Sequence, residues 1–119
     1  MNMVKIVSVI RRRSDLSFEQ FIDHWQNRHP EFVTRLPGLR GYVQSPSLPH
    51  PRRSWPWDGM AQLWFDDVRA IKLAFESPAA DRMREDEKNF IGDQQWFIAT
   101  DYPIVDVASP PAARGGMIP

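Results

Sequence analysis

Cysteine is absent from the 119 residues, which excludes disulfide staples, thiolate nucleophiles and thiolate metal sites together. That absence suits a reducing compartment, and the cytoplasm is the expected location. An excess of charge is missing too: 15 Lys and Arg balance 15 Asp and Glu, so no overall field draws the chain to nucleic acid or to an anionic bilayer. No apolar run approaches the roughly 20 residues that span a membrane. The apolar stretch within residues 1–10 is interrupted by Lys5 and followed by Arg11, Arg12 and Arg13. A secretory signal carries its charges first, so a strand is expected there instead. The three arginines are expected to lie in solvent or to pair with nearby acids such as Asp15. A glycine-rich phosphate loop, a serine nucleophile elbow and a dinucleotide fingerprint are all lacking. What these exclusions leave as the default is a pocket with no cofactor and no metal, and small or neutral partners are favoured.

What is present is ordinary for a globular chain that stays in water: 42% apolar and 25% charged residues. The length suits one domain with a modest core. Residues 1–107 are expected to form it, with a flexible tail at residues 108–119 marked by Pro110, Pro111, Gly115 and Gly116. Residues 3–10, rich in Val and Ile, predict a strand. Ser17 with Gln20 makes a capping box, and Phe18, Phe21, Ile22 and Trp25 follow at helical spacing. Continued past a kink at Pro30, the same stripe takes in His29, Phe32, Val33 and Leu36 before Pro37-Gly38 ends it.

A second strand is predicted at residues 39–44. Pro46, Pro49, Pro51 and Pro56 then forbid regular structure up to Asp58-Gly59. A third strand covers residues 60–65, a helix residues 68–76, and a further helix starts at Ser77-Pro78 and runs to about Phe90. A fourth strand at residues 96–100 is expected at a sheet edge, because Pro103 cannot donate to a ladder.

This order of elements is the split βαβ arrangement: an α+β fold with helices on one face of a four-stranded antiparallel sheet. Strands one and three, however, carry apolar residues on both parities: Val4, Ile6 and Ile10 against Met3, Val7 and Val9, and Ala61, Leu63 and Phe65 against Met60 and Trp64. The helices cover one face only. A second copy of the chain is the simplest cover for the other, which predicts a homodimer packed sheet on sheet.

The opening strand with Arg11-Arg12, the run Phe18, Phe21, Trp25 and His29-Pro30, then Leu36-Pro37-Gly38-Leu39 with Tyr42, Asp58-Gly59, Leu63-Trp64-Phe65, Ser77-Pro78, Asp86-Glu87 and Phe90-Ile91 resemble, in order and spacing, the EthD family, named for ethyl tert-butyl ether degradation. The resemblance spans about residues 4–105. It implies a ferredoxin-like βαββαβ fold closed into a dimeric α+β barrel, with a pocket between sheet and helices. Relatives of such a fold include cofactor-free lactone isomerases, polyketide cyclases, small monooxygenases and accessory proteins of catabolic pathways.

His29 is the first candidate for chemistry. At about 100° per residue it falls near the centre of the first helix's apolar stripe, where an imidazole could act as base or acid near neutral pH. The plain alternative is a core histidine bonded to a backbone carbonyl freed by Pro30. His24, roughly 120° or more round the same helix, is expected in solvent and unable to share a metal with His29. Glu87, four residues after Met83 and three before Phe90, is the second catalytic candidate, a carboxyl whose burial would raise its pKa and which could serve as acid or as partner to His29. Against it, residues 84–88 read as a solvated charge run.

Trp25, Tyr42 and Trp64 are candidate walls for a flat apolar substrate, with the tyrosine hydroxyl as orienting donor. Trp55-Pro56-Trp57 should either lid the pocket or, more simply, contact the partner subunit. The leading expectation is therefore a cofactor-independent acid/base enzyme, an isomerase, lyase or cyclase acting on an oxygenated or aromatic metabolite. The alternatives are a non-catalytic metabolite-binding accessory protein, or a small monooxygenase that uses bound haem or a substrate able to activate oxygen itself.

Overall fold

The computed structural model describes residues 2–108, so the predicted tail lies, from residue 109 onward, outside the described residues. The chain runs β1 (Val4–Arg12), α1 (Phe18–Asn27), α2 (Pro30–Val33), β2 (Gly41–Pro46), β3 (Gly59–Phe65), α3 (Val68–Phe75), α4 (Pro78–Glu87) and β4 (Ile91–Thr100). The four strands form one antiparallel sheet in the order β2-β3-β1-β4. This is the predicted βαββαβ fold, with β4 at an edge.

Local signals account for most boundaries. Ser17 accepts a hydrogen bond from the Gln20 backbone while the Gln20 side chain accepts one from the Ser17 backbone, so the capping box starts α1 as expected. Asp67 and Ser77 cap α3 and α4 by a single bond each, their side chains accepting from the Ala70 and Ala80 backbone N–H groups. Gly38, at φ +78°, turns the chain out of α2 toward β2, a conformation a Cβ would strain.

The first helix does not simply kink at Pro30; it breaks. Pro30 has no N–H to give Gln26, and the carbonyl of His24 instead accepts from both Arg28 N–H and His29 N–H, each at 3.0 Å. The second of these bonds closes an i to i+5 turn, one residue wider than an α-turn.

β4 begins at Ile91, five residues earlier than predicted. Gly92, Asp93, Gln94 and Gln95 have little strand preference of their own, and the ladder of Ile91 and Asp93–Gln95 with Val9–Arg12 of β1, irregular at Gly92, imposes the extension.

Register separates the two faces of the sheet. Ile6 lies opposite Leu63, Ser8 opposite Ala61, and Tyr42 opposite Leu63. Ile6, Ile10, Ala61, Leu63 and Phe65 join Phe21, Trp25, Val33, Leu36, Ile71, Met83 and Phe90 of the helical side in one core. Gly59 is required where β3 meets α1, since a Cβ there would come within 2.7 Å of the Trp25 ring.

The opposite face presents Val7 and Val9 of β1, Met60 and Trp64 of β3, Val43 of β2 and Phe97 of β4. Val43 and Phe97 are 44% and 59% exposed, so the two-sided apolar pattern of the strands is matched by helices on one side only.

Candidate active site

Between helices and sheet lies a cavity of about 230 Å³, floored by Ile6, Ile10, Ala61 and Leu63 and walled by Trp25, Val33, Phe75 and Met83. Its polar groups are few: Ser8, His29, Tyr42, Arg84, Glu87 and Gln94. Mostly apolar lining with a few convergent polar groups is the ordinary make-up of a small-molecule site.

Four of the five sequence candidates meet there: His29, Glu87, Trp25 and Tyr42. Trp64 does not. It alternates with Leu63 and Phe65 along β3, so its ring lies on the opposite face of the sheet, 5.3 Å under the Lys5 ammonium.

His29 is buried and its Nδ1 lies 2.8 Å from Oδ2 of Asp86, a bond that selects the Nδ1–H tautomer of the neutral ring. Its other nitrogen, Nε2, makes no hydrogen bond to a described residue. Because no buried side-chain nitrogen or oxygen among the described residues lacks a partner, Nε2 must open onto the cavity. Burial pushes the His29 imidazole below its ordinary pKa, against the opposing pull of the Asp86 hydrogen bond and charge. The ring is held neutral with a lone pair toward the cavity, the state a general base needs.

Asp86 was not among the sequence candidates, and the reading of residues 84–88 as a solvated run is corrected here: Arg84, Glu85 and Lys88 are exposed, but Asp86 is 6% exposed. Burial works to raise its pKa, yet hydrogen bonds from His29, Asn89 and His24 outweigh that, so its carboxyl is held below the usual range and stays ionised. The signal was available. Asp86 lies three residues after Met83 and four before Phe90, as compatible with α4's inner stripe as Glu87.

His24 also departs from expectation. Its Nε2 lies 2.9 and 3.1 Å from the two Asp86 oxygens, and its side chain is only 21% exposed. The i to i+5 turn explains the error, since uniform 100° steps swing residues 24 and 29 apart whereas one wide turn returns them to the same side. Among the described residues no group of three or more His, Asp and Glu side chains is arranged to hold a metal ion.

Glu87 reaches the cavity but is not the partner of His29. Its carboxyl accepts from Gln94 at 3.2 Å, and burial raises its pKa. A carboxyl with a raised folded-state pKa contributes stability that is fully present below its unfolded value and is lost as pH rises through the folded value. Glu87→Gln is therefore expected to stabilise the protein at pH 8 by roughly 1 kcal/mol, and to do so much less at pH 4. Thermal unfolding at the two pH values checks this, and an equal effect at both would contradict it.

Tyr42 has its hydroxyl 2.7 Å from the Gln44 amide that also binds the Trp25 carbonyl, and burial pushes it up to about 12. The phenol stays protonated and able to donate.

The Trp55-Pro56-Trp57 loop lines none of this cavity. It borders a separate hollow of about 310 Å³ with Val9, Ser45 and Met60 on the other face of the sheet. Arg11 holds it through the Pro56 carbonyl and lies 4.7 Å over the Trp57 ring. The arginines find acids as expected: Arg11 with Asp93, Arg12 with Asp58, Arg13 with Asp15.

The family model described as EthD domain matches residues 13–94, more than half of the chain. The chain belongs to the EthD family. Its fold is similar to that of an ethyl tert-butyl ether degradation family protein from Bacillus halodurans, with TM-score 0.72 and 21% identity over 84% of this chain and 99% of that one. A Bacteroides fragilis protein described as dimeric and ferredoxin-like follows at TM-score 0.64 and 14% identity, over 85% and 98% of the two chains. SnoaB from Streptomyces nogalater, described as a cofactor-independent oxygenase, shares the fold at TM-score 0.61 and 14% identity, over 86% and 95%. No curated protein matches the chain. No described helix of this EthD protein is long and apolar enough to cross a membrane.

Proposed function

We propose that this EthD protein is a cofactor-independent acid/base enzyme of small-molecule catabolism, acting in the cytoplasm on an apolar, oxygen-bearing or aromatic metabolite. The observation that carries this reading is the buried His29 imidazole, bonded through Nδ1 to an ionised Asp86 and presenting Nε2 to an apolar cavity. In this reading His29 removes a proton from carbon or oxygen of the substrate, and the Tyr42 hydroxyl donates to the oxygen on which charge develops. Glu87, whose carboxyl pKa is raised by burial, returns a proton at a second position. Removal and return of a proton at different atoms is an isomerisation. Trp25 supplies a flat wall.

The test is hydrogen–deuterium exchange at the acidic C–H positions of a panel of aromatic and cyclic ketones in heavy water. His29→Asn is expected to lose about 10² to 10⁴ of the wild-type rate. Retention of activity within about threefold would sink the proposal. A second reading shares the first step: the deprotonated substrate reacts directly with dioxygen. SnoaB, a cofactor-independent oxygenase of similar fold, supports it. Oxygen consumption that requires His29 distinguishes the two.

The domain in this reading spans residues 1–107, and a second copy covers the apolar sheet face bearing Val43, Phe97, Met60 and Trp64, with the Trp55-Pro56-Trp57 loop at its border. Relatives of similar fold described as dimeric support this. Light scattering at micromolar concentration is expected to give twice the 13.9 kDa chain mass; monomer mass would overturn it.

A further inference from the structure

Asp86 carries an imidazole on each side. His29 Nδ1 lies 2.8 Å from Oδ2, and His24 Nε2 lies 2.9 Å from Oδ1. The remaining partner, the Asn89 amide at 3.1 Å, is neutral. Phe90 lies against both rings, with centroids at 4.9 Å from His24 and 4.7 Å from His29. It adds neither charge nor acceptor.

The three side chains form a line from water to the cavity. Exposure falls from 21% at His24 to 7% at Asp86 and 5% at His29. His24 Nδ1 makes no hydrogen bond to a described residue, and since no buried side-chain nitrogen or oxygen among them lacks a partner, it faces water. His29 Nε2 faces the cavity by the same reasoning. One carboxylate thus sits between two bases that sample different proton sources.

One negative charge balances one imidazolium. A second cation on the same carboxylate would meet an already neutralised partner, and the two rings repel. We propose that His24 and His29 share a single positive charge through Asp86, so that proton uptake by His29 from the cavity expels a proton from His24 to water, and the reverse. His24 is then a positioning residue for the cavity base, setting its readiness through Asp86 without touching substrate.

The balance is simple. A substrate X–H bond breaks and leaves its electron pair on the substrate; N–H forms at His29 Nε2. Where the shared charge starts on His24, N–H breaks at His24 Nδ1, and water takes that proton. Asp86 remains ionised throughout. Other titratable groups on the cavity wall are Glu87 and Arg84 of α4 and Tyr42 of β2. Glu87 is bonded to Gln94, Arg84 to the Phe75 carbonyl and Tyr42 to Gln44, and none is hydrogen-bonded or ion-paired to either imidazole. From β1 and β3 the cavity receives only uncharged side chains, among them Ser8 and Leu63.

The catalytic consequence rests on the proposed role of His29, but the coupling is measured without any substrate. Protein labelled with ¹⁵N-histidine is titrated by NMR as wild type, His24→Gln, His29→Gln and Asp86→Asn. His24→Gln is expected to raise the proton affinity of His29 about fivefold or more, and His29→Gln to raise that of His24 by the same factor, since linkage is reciprocal. Asp86→Asn is expected to lower both. Should His29→Gln not fold, the first and third variants decide alone.

Titrations that ignore the partner ring, with affinity changes below about 1.5-fold, overturn the inference. If coupling is present while His29→Asn keeps its exchange activity, the enzymatic reading falls and the shared charge stands. If activity is lost while the two rings titrate independently, the shared charge falls and the enzymatic reading stands.

Discussion

Asp86→Ala is expected to destabilise the protein by about 3–5 kcal/mol, because removing one member of a buried charged cluster leaves the others without a partner. The side chain is 7% exposed and takes hydrogen bonds from His24, His29 and Asn89. Two imidazole N–H groups and one amide would be left facing Phe90 and the cavity rim. Chemical denaturation at pH 7.5 measures the loss. Asp86→Asn should cost less, since its amide oxygen still accepts, yet it should lower any His29-dependent rate by about 10² or more, because the ring is no longer held in one tautomer beside a charge. A stability loss under about 1 kcal/mol for the alanine variant would mean that water replaces the carboxylate freely and that the cluster is not a buried unit.

Trp25→Ala is the second large effect. The side chain is 1% exposed, its ring is 5.3 Å from that of Phe21, and it forms a wall of the cavity. Deleting a buried aromatic ring costs about 3–5 kcal/mol when the surroundings cannot collapse. Collapse is hindered here by the sheet on one side and by the cavity on the other. The variant should also bind aromatic ligands more weakly, while Trp25→Phe should keep most of the stability. A melting temperature for Trp25→Ala within a degree or two of wild type would show that the ring is not packed as described.

The residues differ in how openly they announce their places. The Ser17 and Gln20 capping box needs only its own three-residue spacing and is legible directly. The two-sided strands are legible because side chains alternate with period two, so Val7 and Ile6 must face opposite ways whatever surrounds them. The same rule excludes Trp64 from the cavity once Leu63 and Phe65 face the helices. β4 reads short in the sequence because Asp93, Gln94 and Gln95 extend only through their ladder with β1.

Periodicity, capping and proline therefore determined the order of elements, the two apolar faces of the sheet and the inward aim of His29, all of which depend on neighbours a few residues away. Only the tertiary structure decided that Asp86, and not Glu87, receives His29, and that His24 joins them. Those contacts bridge α4 to the broken end of α1 across about 60 positions of sequence. They hinge on one wide turn before Pro30, a rotation that uniform helical steps do not contain.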